Sequence, residues 1–237
     1  MAYQGLDTGK SFVLLAELDE ATALTRVGLR TLRELRFVSE ESAAVLTLLS
    51  IGSEKMLKAT LGLAALDERN PWPSKGQMRD WGHNLRSLNE AACDRYQAQV
   101  RRSTAPGFIS QLLDQCHGDE TLHLLLDMLT DWGLRARFHR LDDLAGAPQP
   151  GPSPQTMWEE LESRVLDTEP TLIARLAEVD GYDPARRRVN AIISESFRLW
   201  WQLHTRAWMT GIIGKDAKGL ATILNRVLDE PALDPPS

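Results

Sequence analysis

The sequence predicts an all-α protein, a bundle of about eight helices. Apolar residues recur every three or four positions along nearly the whole chain, which is typical of amphipathic helices. No segment shows the strict alternation of apolar and polar residues that is typical of strands. Clusters of proline and glycine divide the periodic segments, and such clusters end helices.

Two long helices are expected first. Residues 14–36 form the first, and Ser39 followed by two acidic residues indicates an N-cap for a second helix that reaches about Asp67. The sequence at 70–74 ends that helix. The helices that follow are expected, in order, at 84–102, 108–115 and from 118 onward.

Residues 145–154 form the strongest break, with four prolines and two glycines in ten positions. They predict a linker or a long loop between a domain at 1–146 and a C-terminal helical region at 157–237, with 147–156 as the connection. Helices are expected beyond it at 157–166, 183–213 and 215–228, with Asp183 capping the second and Pro184 at its first position. The end, 231–237, holds three prolines and is expected to be loose.

Composition excludes several classes of protein. The chain has 237 residues, 43% of them hydrophobic, and a formal net charge of −6, so neither global disorder nor a uniformly basic nucleic-acid coat is expected. Two cysteines without a CxxC motif support neither a disulfide scaffold nor structural zinc. The longest uncharged apolar run, 42–53, is too short to span a bilayer. The expectation is a cytoplasmic protein without a membrane segment, a metal or a cofactor.

Three segments resemble the HEPN superfamily. Residues 50–59 carry Glu54-Lys55-x-x-Lys58-Ala59, residues 82–88 open a helix with Gly-His83-Asn84-Leu, and residues 134–144 end the resemblance, which covers about 39–146. The resemblance implies a bundle that is HEPN-like in its N-terminal two thirds. It also implies a homodimer associated with RNA or a nucleotide, in phage defence or stress. It leaves open whether the chain is an enzyme; if it is, the implied reaction is metal-independent RNA cleavage in which the 2′-hydroxyl attacks its own phosphate.

Each candidate residue also has a simpler interpretation. Glu54 and Lys58 are spaced for a helical ion pair, and Asn84 is a plausible N-cap beside His83, which would lie at an anion-attracting helix start. Arg135 and His139 are four residues apart, and Asp142 and Asp143 continue that predicted helix face, with Arg137 nearby. A guanidinium, an imidazole and a carboxylate could bind a phosphate and move a proton there, or could simply form a salt-bridged helix end.

The catalytic pattern of the family, Arg-x(4–6)-His, is not met by Arg135 and His139, which are one residue too close. The formal match is Arg198-x(5)-His204. A chain with 21 arginines produces such a match by chance, and in a straight helix the two side chains would lie about 120° apart.

An aromatic stripe, which includes Trp201, His204 and Trp208, follows one helical face. The stripe predicts, in this order, a face packed in the protein core, a protein–protein interface, or a surface on which nucleic-acid bases stack. The alternative function is therefore a non-enzymatic adaptor or oligomerisation protein that binds a protein partner through a Trp-rich face.

Overall fold

The computed structural model describes residues 3, 5–178 and 180–229, and in this part of the chain every regular element is helical. The described residues form eleven α-helices and two single-turn 3-10 helices, with no strand among them. The α-helices are α1 (Thr8–Glu34), α2 (Val38–Asp67), α3 (Lys75–Asp80), α4 (Leu85–Gln99), α5 (Pro106–Gly118), α6 (Glu120–Leu134), α7 (His139–Leu144), α8 (Pro154–Thr168), α9 (Thr171–Leu176), α10 (Tyr182–Met209) and α11 (Lys215–Asn225).

The all-α prediction is confirmed, but the number of helices is larger than about eight. The three helices that periodicity did not indicate are α3, α7 and α9, each six residues long. Fewer than two turns are too short for a 3.6-residue period to be recognised. The loose end expected at 231–237 lies outside the described residues.

Several helices begin earlier than predicted. Asp7 caps α1, which begins at Thr8 rather than at residue 14, and Ser153 caps α8, which begins at Pro154 rather than at 157. Helices α2 and α10 begin one or two residues early.

Helix α2 begins at Val38 after Phe37, and the Glu41 carboxylate accepts hydrogen bonds from the amides of Arg36 and Phe37 at 2.7 and 2.9 Å. These bonds lower the pKa of Glu41 and hold the segment that enters the helix. Ser39, the predicted N-cap, lies inside α2, and the actual N-cap, Phe37, makes no side-chain cap hydrogen bond. Helix α10 begins at Tyr182, so Asp183 lies in its first turn, where it pairs with Arg36 at 2.5 Å.

Helices α1 and α2 form the closest pair in the fold. They are joined by three residues and pack along most of their length. Gly52 permits this approach, because a Cβ built there would lie 3.0 Å from the carbonyl oxygen of Ala21 on α1. A side chain at this position would force the two backbones apart.

The hydrophobic core is one cluster that runs from Leu6 to Val227 and includes residues on both sides of the 145–154 break. Helix α8 packs against α6, and α10 packs against α1, α5 and α6. Asn190 of α10 donates to the carbonyl of Leu35 at 2.7 Å, which satisfies a backbone acceptor at the end of α1. The division into two domains at 147–156 stays a prediction.

Within the described residues, no helix combines the length and the apolar character that crossing a bilayer would require.

Candidate functional site

The first two of the three distinctive segments meet in space. Glu54 and Lys58 of α2 form the predicted i,i+4 ion pair, with Oε1 and Nζ 2.7 Å apart. His83, in the turn before α4, brings its Nδ1 to 2.8 Å from the other carboxylate oxygen, Oε2 of Glu54. The Glu54 and Lys58 side chains are each 18% exposed and that of His83 is 50% exposed, so the imidazole is the part of this cluster that solvent reaches.

The Glu54–Lys58–His83 cluster fixes the tautomer of the imidazole. A carboxylate only accepts hydrogen bonds, so Nδ1 of His83 carries the hydrogen that Glu54 receives. In the neutral ring Nε2 is then the unprotonated nitrogen, able to accept a proton or a hydrogen bond. This arrangement of carboxylate and imidazole is the one that general bases use.

The turn that holds His83 is specified locally. Gly82 adopts φ +56°, a left-handed conformation that glycine adopts without strain. Asn84 is the N-cap of α4, and its side chain accepts from the amide of Ser87 at 3.1 Å, as predicted. Gly133 of α6 lies against this turn, because a Cβ there would lie 3.2 Å from the carbonyl oxygen of His83.

Arg135 does not share a helix face with His139 and Asp142, which lie together on α7. Helix α6 ends at Leu134 and a 3-10 turn precedes α7. Because Arg135 and His139 are not on one α-helix, their spacing of four does not place them on a common face. Arg135 pairs with Asp131 at 2.5 Å and His139 with Asp143 at 3.2 Å. No contact joins the two within the described part of the chain.

Their neighbours Asp142 and Arg137 also have separate partners. The carboxylate of Asp142 accepts from the side-chain amide of Gln149. The guanidinium of Arg137 lies 5.1 Å from the ring centroid of Phe138, within the range of a cation–π contact. The expected site of guanidinium, imidazole and carboxylate is therefore a set of local pairs.

Arg198 and His204 form no common site either. The Arg198 guanidinium donates to the carbonyls of Val227 and Leu228, at 3.1 and 2.9 Å, beyond the end of α11. His204 is fully buried. The Arg-x(5)-His match thus consists of two residues with different structural roles.

The aromatic stripe packs in the hydrophobic core of the protein. Trp201 and Trp208 have no exposed surface, and their indole nitrogens donate to the Leu224 carbonyl and the Thr60 hydroxyl at 2.9 and 3.0 Å. The chain itself covers the face that was considered for a protein partner or for stacked bases. Neither indole is available to a ligand in this conformation.

A buried polar network that the sequence did not predict surrounds His204. Its Nδ1 lies 2.7 Å from the Tyr96 hydroxyl, and its Nε2 lies 3.2 Å from Oδ1 of Asn89. Burial lowers the pKa of His204 to about 3 and raises that of Tyr96, so the ring is neutral near pH 7. The Trp200 indole donates to the same oxygen of Asn89 at 2.7 Å. The sequence does show polar residues on otherwise apolar helix faces, which indicates buried hydrogen bonds. It does not indicate which of these residues contact one another.

Cys93, Cys116, His117 and His123 take no part in the Glu54–Lys58–His83 cluster. Burial raises the pKa of both Cys93 and Cys116 to about 12, so both thiols stay protonated. His123 Nε2 donates to the His117 carbonyl at 2.9 Å. Across the described residues no group of three or more His, Cys, Asp or Glu side chains could hold a metal ion.

In comparisons with known proteins, no family model matches the chain, and neither a similar curated protein nor a similar solved structure was found.

Proposed function

We propose that the chain is a HEPN-like helical protein with an RNA- or nucleotide-associated role in phage defence or stress. The convergence of Glu54, Lys58 and His83 carries this proposal. Two segments picked out for their resemblance to that superfamily, 29 residues apart at Glu54 and His83, contribute to one polar cluster with a half-exposed imidazole.

The proposed contact with RNA is His83. Its Nε2 can accept a hydrogen bond or a proton from a ribose hydroxyl, while Glu54 holds Nδ1. The 2′-hydroxyl is the group that distinguishes RNA from DNA. If the chain cleaves RNA, the 2′-oxygen would attack its own phosphate with His83 as the base, in a reaction that needs no metal.

The test is to incubate the purified chain with end-labelled single-stranded RNA in EDTA and to measure binding and cleavage. Wild type is expected to bind RNA more tightly than DNA of the same sequence, and affinity should fall as salt rises. His83→Ala and Glu54→Gln are expected to weaken RNA binding by about tenfold, the loss of one or two charge-assisted hydrogen bonds.

His117→Ala is the matched control, because His117 is an exposed histidine on α5, outside the Glu54–Lys58–His83 cluster. It should leave binding unchanged, and circular dichroism should show that all variants are folded. A wild-type chain that neither binds nor cleaves RNA would refute the proposal. Equal losses in His83→Ala and His117→Ala would place the RNA elsewhere.

We also propose that the chain forms a homodimer through α7. Phe138, Leu141 and Leu144 are 51%, 63% and 84% exposed, and a spacing of three places them on one side of the 138–144 segment. Basic residues flank this apolar surface at its N-terminal end and acidic residues at its C-terminal end. Two copies related by a two-fold axis would therefore pair opposite charges.

Leu141→Glu is expected to convert the dimer to a monomer in light scattering coupled to size exclusion. Ile173→Glu is the control, since Ile173 is similarly exposed at 56% but lies on α9. A wild-type chain that is monomeric at the highest concentration measured would contradict the proposed dimer.

A further inference from the structure

A cavity lies on a part of the bundle away from the Glu54–Lys58–His83 cluster. It has a volume of about 450 Å³ and opens between α4, α5 and α6, above α10. Its floor is formed by buried apolar side chains, among them Leu113, Leu126, Trp200 and Leu203. Small-molecule sites have this size. Polar side chains line the upper part of this cavity, namely Arg86, Asn89, Glu90, Asp94, Gln97, His117 and His123. The Glu54–Lys58–His83 cluster takes no part in its walls.

The orientation of one polar group in this cavity is determined by its neighbours. An indole N–H can only donate, so the Asn89 atom 2.7 Å from Trp200 Nε1 is the carboxamide oxygen. The same oxygen also receives a bond from Nε2 of His204 and one from the Cys93 thiol at 3.6 Å. Asn89 lines the cavity, and its amide nitrogen is the side-chain polar atom that these neighbours leave for a ligand. No acceptor for its two hydrogens is found among the described residues.

The mouth of the cavity is acidic. Glu90 and Asp94 are exposed, one turn apart on α4, and both line the opening. The positive charge at this opening, on Arg86, is paired with Asp127 at 2.6 Å. A phosphate or carboxylate entering here would meet two carboxylates, whereas an uncharged or cationic molecule would not be repelled. This surface is thus unsuited to the RNA backbone.

The cysteines of the cavity are not its reactive groups. Cys93 lies on α4 beside Asn89, and burial together with Asp94 and Glu90 keeps its thiol protonated. Protonated thiols neither attack electrophiles readily nor bind metal ions. They provide polarisable apolar surface instead, which is consistent with a site for non-covalent binding.

We propose that this cavity binds a small aromatic molecule, uncharged or cationic, whose carbonyl or ring-nitrogen acceptor receives a hydrogen bond from Asn89 Nδ2. The apolar floor contacts the ring system, Asn89 sets its orientation, and Glu90 and Asp94 exclude anions. This site would be a binding function additional to the proposed association with RNA, and it does not depend on it.

Isoquinoline, indole and isoquinoline-3-carboxylate are the probes, titrated into the ¹⁵N-labelled full chain at pH 8. Isoquinoline is expected to bind and to shift the side-chain amide signals of Asn89, because its ring nitrogen accepts a hydrogen bond. Indole, which is of similar size but offers only a donor, should bind about threefold to tenfold more weakly, as should the anion.

Two variants of cavity residues and one control variant test the assignment. Asn89→Asp keeps an oxygen toward Trp200 and His204 but removes the amide hydrogens, and it should abolish the preference for isoquinoline over indole. Asn70→Asp introduces the same charge at an exposed site outside the cavity and should change nothing. Leu113→Phe fills the cavity and should weaken both neutral probes, which keeps the test valid if Asn89→Asp does not fold.

The proposal is overturned if isoquinoline fails to bind at millimolar concentration. It is also overturned if the carboxylate binds as tightly as isoquinoline, or if Leu113→Phe binds isoquinoline as wild type does.

Discussion

Replacing Trp208 with alanine is expected to lower the free energy of unfolding by about 3–5 kcal/mol. The side chain is fully buried in the core, so truncation removes its apolar contacts and leaves a cavity that the surrounding helices fill only in part. The indole hydrogen bond to the Thr60 hydroxyl is lost as well. Guanidinium denaturation followed by circular dichroism measures the effect.

Trp81→Ala is the comparison, because Trp81 is only partly buried and packs at the edge of the core. Its truncation should cost clearly less. The pair also distinguishes core from interface: if Trp208→Ala left stability unchanged and instead abolished binding to a partner, the indole would have to be accessible, contrary to its burial. A large loss of stability excludes a Trp208 surface as the basis of an adaptor function.

Acidification from pH 7.5 to 5.5 is expected to lower the free energy of unfolding by about 1.4 kcal/mol through His204 alone. The folded-state pKa of His204 is about 3, below the value of about 6.5 expected in the unfolded chain. The unfolded state therefore binds more protons below pH 6.5. The contribution of His204 is fully present above that pH and is lost progressively as the pH falls toward 3.

The measurement is denaturant unfolding at several pH values for wild type and for His204→Gln. Glutamine is uncharged at every pH used, so the variant should be less stable overall yet lack the His204 component of the pH slope. His117→Ala, which removes an exposed histidine, should keep that component. Identical slopes for wild type and His204→Gln would mean that the buried imidazole is protonated in the folded state.

The fold class was predictable because periodicity is a local property. Long helices such as α2 and α10 each contain many repeats of the apolar spacing, so their existence did not depend on tertiary contacts. Their starts were less predictable. Helix α2 starts after Phe37, whose side chain cannot cap a helix, so a search for Ser, Thr, Asp or Asn before the first turn does not find this start. The Glu41 carboxylate, inside the helix, accepts from the Phe37 amide instead.

The site was predictable in part. The Glu54–Lys58 pair follows from spacing on one helix, but the contact of Glu54 with His83 depends on the path of the chain through α3 and two turns. Arg135 and His139 show the converse failure: a spacing of four predicts a shared face only if the helix is unbroken, and here it ends at Leu134. The aromatic stripe correctly indicated a contacting face, but periodicity cannot say whether the chain itself or a partner covers it.

The hydrogen bond from Asn190 to the carbonyl of Leu35 has a consequence for how the chain folds. It joins residues 155 positions apart. Helix α1 is synthesised long before α10, so the α1 surface that α10 covers has no packing partner until α10 has been made. Helical proteins generally fold fast because their contacts are local, and each long-range closure slows the search. We therefore expect the N-terminal helices to leave the ribosome with an open apolar face, and the core to close only after α10 has emerged.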